Sequence, residues 1–328
     1  MLDVRCSMFD VLRFPMRIPP LLASLLLLAT PLHAAEFLPS VKRVVFLGDS
    51  ITYAGQYVDL FEAFLFTQFP ERKFEVIDCG LPSETVSGLS EVGHAGGKFP
   101  RPDLHERLDR VLAKTKPDLI FACYGMNDGI YKPYDTVRAQ RYQDGILKLR
   151  EKAAKIGAQV IHLTPPVFDS VPISGKVAPA GQESANAPYE GYDDVLTRYS
   201  SWLVEQRAAG WKVIDIHTPM KAAITKARET NATFTFAKDG VHADAAGHEL
   251  IALDLLAALD PERAEKFRQT RLSPELMTLI RKRGRLLADA WIKDAGHLRP
   301  GTAEKGLPVA EAQAKAAEIE AQIRAMSK

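Results

Sequence analysis

The sequence predicts an α/β fold of three layers, in which helices cover both faces of one sheet of five parallel strands. Short apolar runs recur along the chain, and segments with the apolar spacing of helices separate them. The runs cover residues 44–47, 119–123 and 160–163, and two further strand-like segments that include acidic residues cover 74–79 and 213–216. Continuous apolar runs are typical of parallel strands, because both faces of such strands are buried. The carboxyl ends of these strands should share one edge of the sheet, where open α/β sheets bind their ligands.

Length and composition are those of an ordinary globular protein. The chain has 328 residues, of which 46% are hydrophobic and 25% charged, so it can bury a sizeable core. Its formal net charge of +1 and the lack of a basic run with interleaved aromatics give no reason to expect a nucleic-acid partner. We predict three regions: residues 1–34, a main domain over 35–260, and a charged helical appendage over 261–328 that folds back on it.

The first region has the layout of a secretory signal. Arg13 and Arg17 precede an apolar stretch over residues 21–29, and small residues follow at Ala34 and Ala35. The stretch is too short to cross a bilayer, which takes about 20 apolar residues. We therefore predict removal of residues 1–34, export to the periplasm or the extracellular space, and no stable membrane insertion afterwards.

Ser50 stands at a strand-to-helix turn. It follows the first apolar run in Gly48-Asp49-Ser50, and helical spacing of apolar residues begins at Tyr53. A serine at such a turn can also cap a helix or belong to an anion-binding loop. Asp239 and His242 near the other end of the chain favour catalysis, since together the three residues make a serine, histidine and aspartate set.

With these residues in view, the chain resembles the SGNH (GDSL-type) hydrolase superfamily over residues 42–259. The four residues that name this superfamily have counterparts in the same order, namely Ser50 in Gly-Asp-Ser-Ile-Thr, Gly80, Asn127 in Gly-Met-Asn-Asp, and His242. The chain departs from the pattern at Asp78, where the superfamily usually has asparagine two residues before the glycine. The resemblance implies a flavodoxin-like SGNH-hydrolase fold and an esterase.

The resemblance also implies the chemistry. His242 would act as base for Ser50, and Asp239 would hold the imidazole in the required tautomer. The backbone N–H groups of Ser50 and Gly80 and the side-chain amide of Asn127 would stabilise the oxyanion. Such a reaction forms an acyl-enzyme on the serine and needs no cofactor. Two alternatives stay open: a lipid-directed acylhydrolase, and a non-catalytic flavodoxin-like module that binds a sugar or an anion.

The substrate prediction is a short acyl ester, most simply acetyl, on a small molecule or polysaccharide outside the cytoplasm. A segment over residues 164–192, rich in Pro, Gly, Ser and Ala, is too long for a plain connection. Its Phe168, Tyr189 and Tyr192 are candidates to stack on sugar rings, although they could instead pack the segment on itself. Asp49, next to Ser50, is a further candidate for substrate binding. The sequence leaves the oligomeric state open.

Three groups of residues receive structural predictions. Cys79 and Cys123 should be buried thiols, because strands two and three would flank strand one and so hold the residues roughly 10 Å apart. His162 lies in an apolar run and should be a hydrogen-bonded core histidine. Asp244 should cap a helix, and with no matching ligand spacing around Asp239 and His242 we expect no metal site.

Overall fold

A computed structural model describes residues 40–179, 182, 184 and 187–326, so the predicted signal segment lies outside the described residues. Five parallel strands form one sheet in the order β2-β1-β3-β4-β5. They are β1 (Arg43–Gly48), β2 (Glu75–Asp78), β3 (Leu119–Cys123), β4 (Gln159–Leu163) and β5 (Lys212–Ile214). The predicted fold class is confirmed, including the flavodoxin-like arrangement with β2 and β3 on either side of β1.

Helices follow the strands at the predicted places. They are α1 (Ser50–Ala54), α2 (Gln56–Gln68), α3 (Leu104–Thr115), α4 (Thr136–Lys155), α5 (Tyr192–Glu205), α6 (His217–Arg228), α7 (Ala245–Leu259), α8 (Pro261–Gln269), α9 (Pro274–Ala295) and α10 (Val309–Met326). Short 3₁₀ turns cover His94–Gly97, Val171–Lys176 and Gln206–Ala209. Within the described residues, no helix is both long and apolar enough to cross a bilayer.

Side-chain caps fix where several of these helices begin. The carboxylates of Asp103, Asp135 and Asp244 accept hydrogen bonds from the first turns of α3, α4 and α7, which satisfies N–H groups that the helix itself leaves unpaired. The predicted cap at Asp244 is therefore confirmed. The helix expected after Tyr53 is interrupted, because Gly55 adopts a φ of 78° and separates α1 from α2.

The core lies where α2 crosses β1 and β3. Phe46 of β1 stacks on Phe121 of β3 with ring centroids 4.8 Å apart, and Phe61 of α2 meets both rings edge to face. All three side chains are fully buried. Because aromatic pairs in these geometries add to the free energy of area burial, this contact anchors the helix that follows Ser50 on the sheet.

The C-terminal helices attach to the β2 side of the sheet. Helix α9 packs against β2, α2 and α3, and it pairs with α10. Arg283 of α9 is buried and contacts two carboxylates, with 2.5 Å from Nη1 to Oε1 of Glu62 and 2.8 Å from Nη2 to Oε2 of Glu320. Removing the arginine would leave the buried Glu62 without its partner, so this ion pair ties α9 to α2.

Of the predictions for buried side chains, the one for Cys79 and Cys123 is confirmed and the one for His162 is wrong. Cys79 and Cys123 are free and buried, as predicted. His162 is buried, but within the described residues neither ring nitrogen has a hydrogen-bond partner, so the expected hydrogen bond is wrong. The ring instead packs near Trp211 with centroids 5.5 Å apart. Burial without a partner disfavours the charged form and lowers the pKa of His162 to about 3.

Candidate active site

Ser50 is placed by the end of β1 and the start of α1. Strand β1 ends at Gly48, Asp49 is the N-cap of α1, and Ser50 is the first helical residue. A Cβ at position 48 would lie 2.1 Å from Oγ1 of Thr52 and 2.9 Å from the carbonyl oxygen of Cys123, so only glycine fits the turn. The turn leaves the Ser50 side chain at the carboxyl edge of the sheet, partly open to solvent.

The loop before α7 carries Asp239 and His242 and is folded around the aspartate. Oδ1 of Asp239 accepts hydrogen bonds from the backbone N–H groups of Val241 and His242, at 3.0 and 2.8 Å. Oδ2 of the same carboxylate lies 2.6 Å from Nδ1 of His242. Burial raises the pKa of Asp239, but the hydrogen bonds from His242 and Val241 outweigh it and hold the pKa below its ordinary value. The carboxylate is therefore ionised near neutral pH.

Ser50, His242 and Asp239 form one chain of hydrogen bonds. Nε2 of His242 lies 2.8 Å from Oγ of Ser50, across 192 positions of sequence. An ionised carboxylate can only accept, so Nδ1 carries the proton that faces Asp239, and Nε2 presents a lone pair to the serine hydroxyl. The structure thus brings together the three residues that the sequence predicted, in the order nucleophile, base and orienting acid.

Asn127 lies just beyond β3, on the edge that carries Ser50. Gly48 and Cys123 are register partners at the ends of β1 and β3, so both strands deliver their following loops side by side. The amide of Asn127 is buried and held on both sides. Nδ2 donates to the carbonyl oxygen of Glu84 at 3.1 Å, and Oδ1 accepts from Nη1 of Arg101 at 2.9 Å. This leaves the second hydrogen on Nδ2 for a ligand.

Gly80 is also at this edge, but its N–H is already engaged. The group donates to Oδ1 of Asp78 at 2.8 Å, at the residue where the chain departs from the SGNH pattern. A Cβ at position 80 would lie 2.4 Å from the backbone nitrogen of Tyr53, which explains the glycine on packing grounds alone. Burial raises the pKa of Asp78 to about 7. The predicted oxyanion role of Gly80 therefore requires its N–H to be shared with, or released by, Asp78.

Asp49 does not line the site as expected. Its side chain is buried and caps α1, with Oδ1 accepting from the backbone N–H of Ile51 at 2.9 Å. Burial raises the pKa of Asp49 to about 7. A carboxyl group that is enclosed and already paired cannot bind substrate, so the prediction for Asp49 is corrected to a capping role.

Two of the three aromatic candidates pack inside the protein instead of facing the site. Phe168 and Tyr192 are buried, and their rings meet edge to face with centroids 5.5 Å apart. Tyr192 also stacks on Tyr131 at 4.8 Å, and its hydroxyl donates to the carbonyl oxygen of Met126 at 2.9 Å. Neither ring offers a face to a sugar, so the stacking prediction is wrong for both. Tyr189 is only partly buried, and its role stays a prediction.

Sequence reasoning missed two residues that contact Asn127. Besides Arg101, the hydroxyl of Tyr131 donates to Oδ1 of Asn127 at 3.1 Å. No motif or spacing indicates a role for Arg101, which lies in a loop after several glycines. Tyr131 is close to Asn127 in sequence, and nothing else distinguishes it. In the described part of the chain, no three His, Cys, Asp or Glu side chains are grouped so that they could hold a metal ion.

The fold and the site together define a serine hydrolase of the three-layer α/β class, distinct from enzymes with a Gly-x-Ser-x-Gly elbow. Residues 46–250 match the GDSL-like Lipase/Acylhydrolase family, and the chain belongs to that family. The predicted superfamily and the predicted class, a serine hydrolase of ester bonds, are confirmed. Among curated proteins, no match was found.

The solved structures that are similar to this chain include several enzymes. A gut microbial diltiazem-metabolizing enzyme matches 66% of this chain and 46% of its own, with 23% identity and a TM-score of 0.50. This chain thus spans less than half the length of that enzyme. The acetyl xylan esterase AlAXEase matches 66% of this chain and 98% of its own, with 20% identity and a TM-score of 0.50. An acetylxylan esterase from Geobacillus stearothermophilus has 20% identity and a TM-score of 0.45, covering 66% and 93% of the two chains. At these identities, the two likenesses with a TM-score of 0.50 show the fold and no more.

Proposed function

We propose that this chain is an exported serine esterase that removes short acyl groups, in the first place acetyl, from carbohydrate. The observation that carries the proposal is the continuous hydrogen-bonded chain from Oγ of Ser50 through the imidazole of His242 to Asp239. A serine hydroxyl is a weak nucleophile near neutral pH unless an oriented base takes its proton, and this arrangement supplies both the base and the group that orients it.

The reaction runs in two halves through an acyl-enzyme. In the first, His242 Nε2 takes the proton as Oγ of Ser50 attacks the ester carbonyl carbon, and the carbonyl oxygen becomes an oxyanion. Collapse of the intermediate breaks the bond to the alcohol, which leaves with the proton from His242. In the second half, His242 takes a proton from water, the hydroxide attacks the acyl carbon, and the carboxylic acid is released as Ser50 regains its proton.

The oxyanion needs donors that are in place before charge develops. The backbone N–H of Ser50 lies in the first turn of α1, where a helix gives its N–H groups no internal partner. The second hydrogen of Asn127 Nδ2 is the other candidate, because the first is committed to Glu84. Each such donor contributes about 3–4 kcal/mol to transition-state stabilisation.

The exposure of the site supports a substrate in which the alcohol part of the ester is bulky. The side chains of His242 and Asp239 are 52% and 57% exposed, so the base stands at the surface and not at the bottom of a tunnel. A surface site suits an ester carried on a polymer or oligosaccharide, whereas long acyl chains are bound in enclosed apolar pockets. The predicted secretory signal would place the enzyme among such polymers. AlAXEase, whose structure is similar to this chain, is an acetyl xylan esterase, which is consistent with this substrate class.

Labelling and an ester panel test the proposal. A fluorophosphonate should label the purified protein, and Ser50→Ala should abolish labelling. The panel varies acyl length and alcohol separately, using acetylated xylo-oligosaccharides, p-nitrophenyl esters from acetate to palmitate, and a lysophospholipid. We expect kcat/KM to be highest for acetyl esters of sugars. Preference for long acyl chains would show a lipid acylhydrolase instead, and absence of labelling would favour a non-catalytic binding module.

A further inference from the structure

Asn127 is held by three groups that leave its amide only one orientation. Arg101 Nη1 and the hydroxyl of Tyr131 both face Oδ1, at 2.9 and 3.1 Å, and the carbonyl oxygen of Glu84 faces Nδ2 at 3.1 Å. We infer that Arg101 and Tyr131 are positioning residues, which fix the Asn127 amide so that its remaining N–H points at the oxyanion of the proposed reaction. The inference rests on the proposed function and deepens it.

The chemistry of the partners makes the orientation unambiguous. A guanidinium has donors and no acceptor, so the atom that faces Arg101 must be the amide oxygen. A backbone carbonyl only accepts, so the atom that faces Glu84 must be the amide nitrogen. A flipped amide would place two hydrogens against the Arg101 donors and an oxygen against a carbonyl. Both contacts would be repulsive in a buried site where Asn127 is only 3% exposed.

Arg101 is itself held rigidly. Its side chain is 6% exposed and binds Glu91 through two nitrogens, with 2.6 Å from Nε to Oε2 and 2.7 Å from Nη2 to Oε1. The guanidinium also lies over the ring of Tyr131, 5.2 Å from its centroid. Hydrogen bonding to a cation polarises the amide, which strengthens the N–H that remains, and the buried charge favours a nearby anion. Arg101 therefore acts on the transition state through Asn127.

Tyr131 contacts Asn127 from a backbone conformation that is sterically unfavourable for residues other than glycine. Ile130 and Tyr131 have φ values of 48° and 56°, in the left-handed region that residues other than glycine seldom adopt. The Ile130 N–H donates to the carbonyl oxygen of Asn127 at 2.9 Å, and the Tyr131 carbonyl oxygen accepts from the N–H of Tyr189 at 2.8 Å. The surrounding structure thus maintains a tight turn that returns the hydroxyl to the amide four residues earlier.

A double-mutant cycle separates positioning from simple packing. The variants are Tyr131→Phe, Arg101→Met, Asn127→Ala and Asn127→Ala combined with Tyr131→Phe, assayed on p-nitrophenyl acetate. Asn127→Ala should lower kcat by about 10²–10³-fold with little change in KM. Tyr131→Phe should lower kcat about fivefold, as expected for one neutral hydrogen bond, and Arg101→Met about 10–100-fold. In the Asn127→Ala background, Tyr131→Phe should have no further effect on kcat.

Tyr142→Phe is the control, because Tyr142 is also a tyrosine inside the fold, and its hydroxyl donates to the backbone carbonyl of Tyr124 at 3.2 Å and not to Asn127. It should leave kcat within about twofold of the wild type. If Tyr131→Phe also keeps the wild-type kcat, or lowers it equally in both backgrounds, the inference is overturned. A wild-type protein that takes up no fluorophosphonate would overturn the proposed function itself, whereas a labelled and active one with a silent Tyr131→Phe would overturn only the positioning role.

Discussion

Residues 46–250 and the helices α9 and α10 use polar side chains in different ways. Within the family segment, Ser50 begins α1, and Asn127 and His242 lie in loops; all three are candidates to contact a ligand at the carboxyl edge of the sheet. In the C-terminal helices, Arg283 is buried and joins Glu62 of α2 to Glu320 of α10. In the first region these polar side chains form a candidate site, whereas Arg283 of the second region connects helices.

Arg285 is one of the side chains that connect the two regions, and it contacts α1, which carries Ser50. Nη1 of Arg285 in α9 donates to the carbonyl oxygen of Tyr53 at 2.8 Å, and its guanidinium lies over the Tyr53 ring, 4.3 Å from the centroid. Tyr53 follows Ser50 by three residues in α1. Arg285 also opposes the rise that burial causes in the pKa of Asp78, the partner of the Gly80 N–H. A helix outside the family segment thus contacts α1, which carries Ser50, and acts electrostatically on Asp78, the partner of the Gly80 N–H.

The largest expected effect is a loss of activity when the residues at the carboxyl edge of the sheet are replaced. Ser50→Ala and His242→Ala should each lower kcat/KM on p-nitrophenyl acetate by about 10⁴-fold or more, because the nucleophile and its base act as a unit. Asp239→Asn should lose most of the activity through the wrong tautomer. Thermal melts should stay near the wild type, since Ser50 and His242 are not core residues. Ser201→Ala, an exposed serine on α5, is the control. Near wild-type turnover of Ser50→Ala would rule out the nucleophile assignment.

Loss of Arg283 should affect folding and leave chemistry alone. Arg283→Met leaves Glu62 buried without its partner, which should lower the free energy of unfolding by about 3–5 kcal/mol in urea titrations. Arg281→Met is the control, because Arg281 is 62% exposed, so solvent screens its contact with the buried Asp59 at 3.4 Å and the loss should be smaller. Equal losses for the two variants would contradict the distinction between a buried and an exposed arginine.

Asp49 should make stability depend on pH. Burial raises its pKa in the folded protein to about 7, whereas the ordinary value is 3.8. Between these values the folded state holds a proton that the unfolded chain has released, so stability should fall as pH rises from about 4 to about 7, by up to about 1.4 kcal/mol per pH unit. Asp49→Asn can keep the capping oxygen but cannot ionise, so urea midpoints measured across this window should show a shallower slope. Asp244→Asn, at an exposed cap, should retain the wild-type slope; an unchanged slope for Asp49→Asn would contradict the prediction.

The smallest effect should come from Arg285. Arg285→Met removes the donor to Tyr53 while keeping much of the aliphatic stem, and should lower kcat/KM about threefold to fivefold, within the value of one hydrogen bond. Lys293→Met is the control, because Lys293 of α9 also donates to a backbone carbonyl, that of Gly306, but within the C-terminal region. If both variants have wild-type kinetics, the C-terminal helices contribute stability only.

The sequence was sufficient for the features that follow from periodicity and chain order. Apolar runs located all five strands, and the parallel topology then brought the loops after β1 and β3 together. Asp239 and His242 could be paired with each other because one loop carries both. These inferences depend on local pattern and on the geometry of a parallel sheet, which vary little from one chain to another.

The errors concern residues whose surroundings come from distant parts of the chain. Phe168 and Tyr192 looked available in a Pro-rich segment, but Tyr131 from the loop after β3 completes their packing. His162 was expected to have a hydrogen bond because most buried polar groups do, and nothing in the strand sequence indicated otherwise. Arg101 reaches Asn127 from a loop 26 positions earlier, a distance over which sequence spacing carries no information.

The half-exposed imidazole of His242 bears on where the acyl group goes after it reaches Ser50. An enzyme that excludes water can transfer its acyl group to a bound alcohol, because water is kept from attacking the acyl-enzyme. Here bulk solvent meets the base directly, so water should outcompete added alcohols for the acylated serine. We expect methanol to divert only a small part of the acetyl flux to methyl acetate, as gas chromatography of the products would show. The open edge of the sheet would then make this protein a poor acyltransferase.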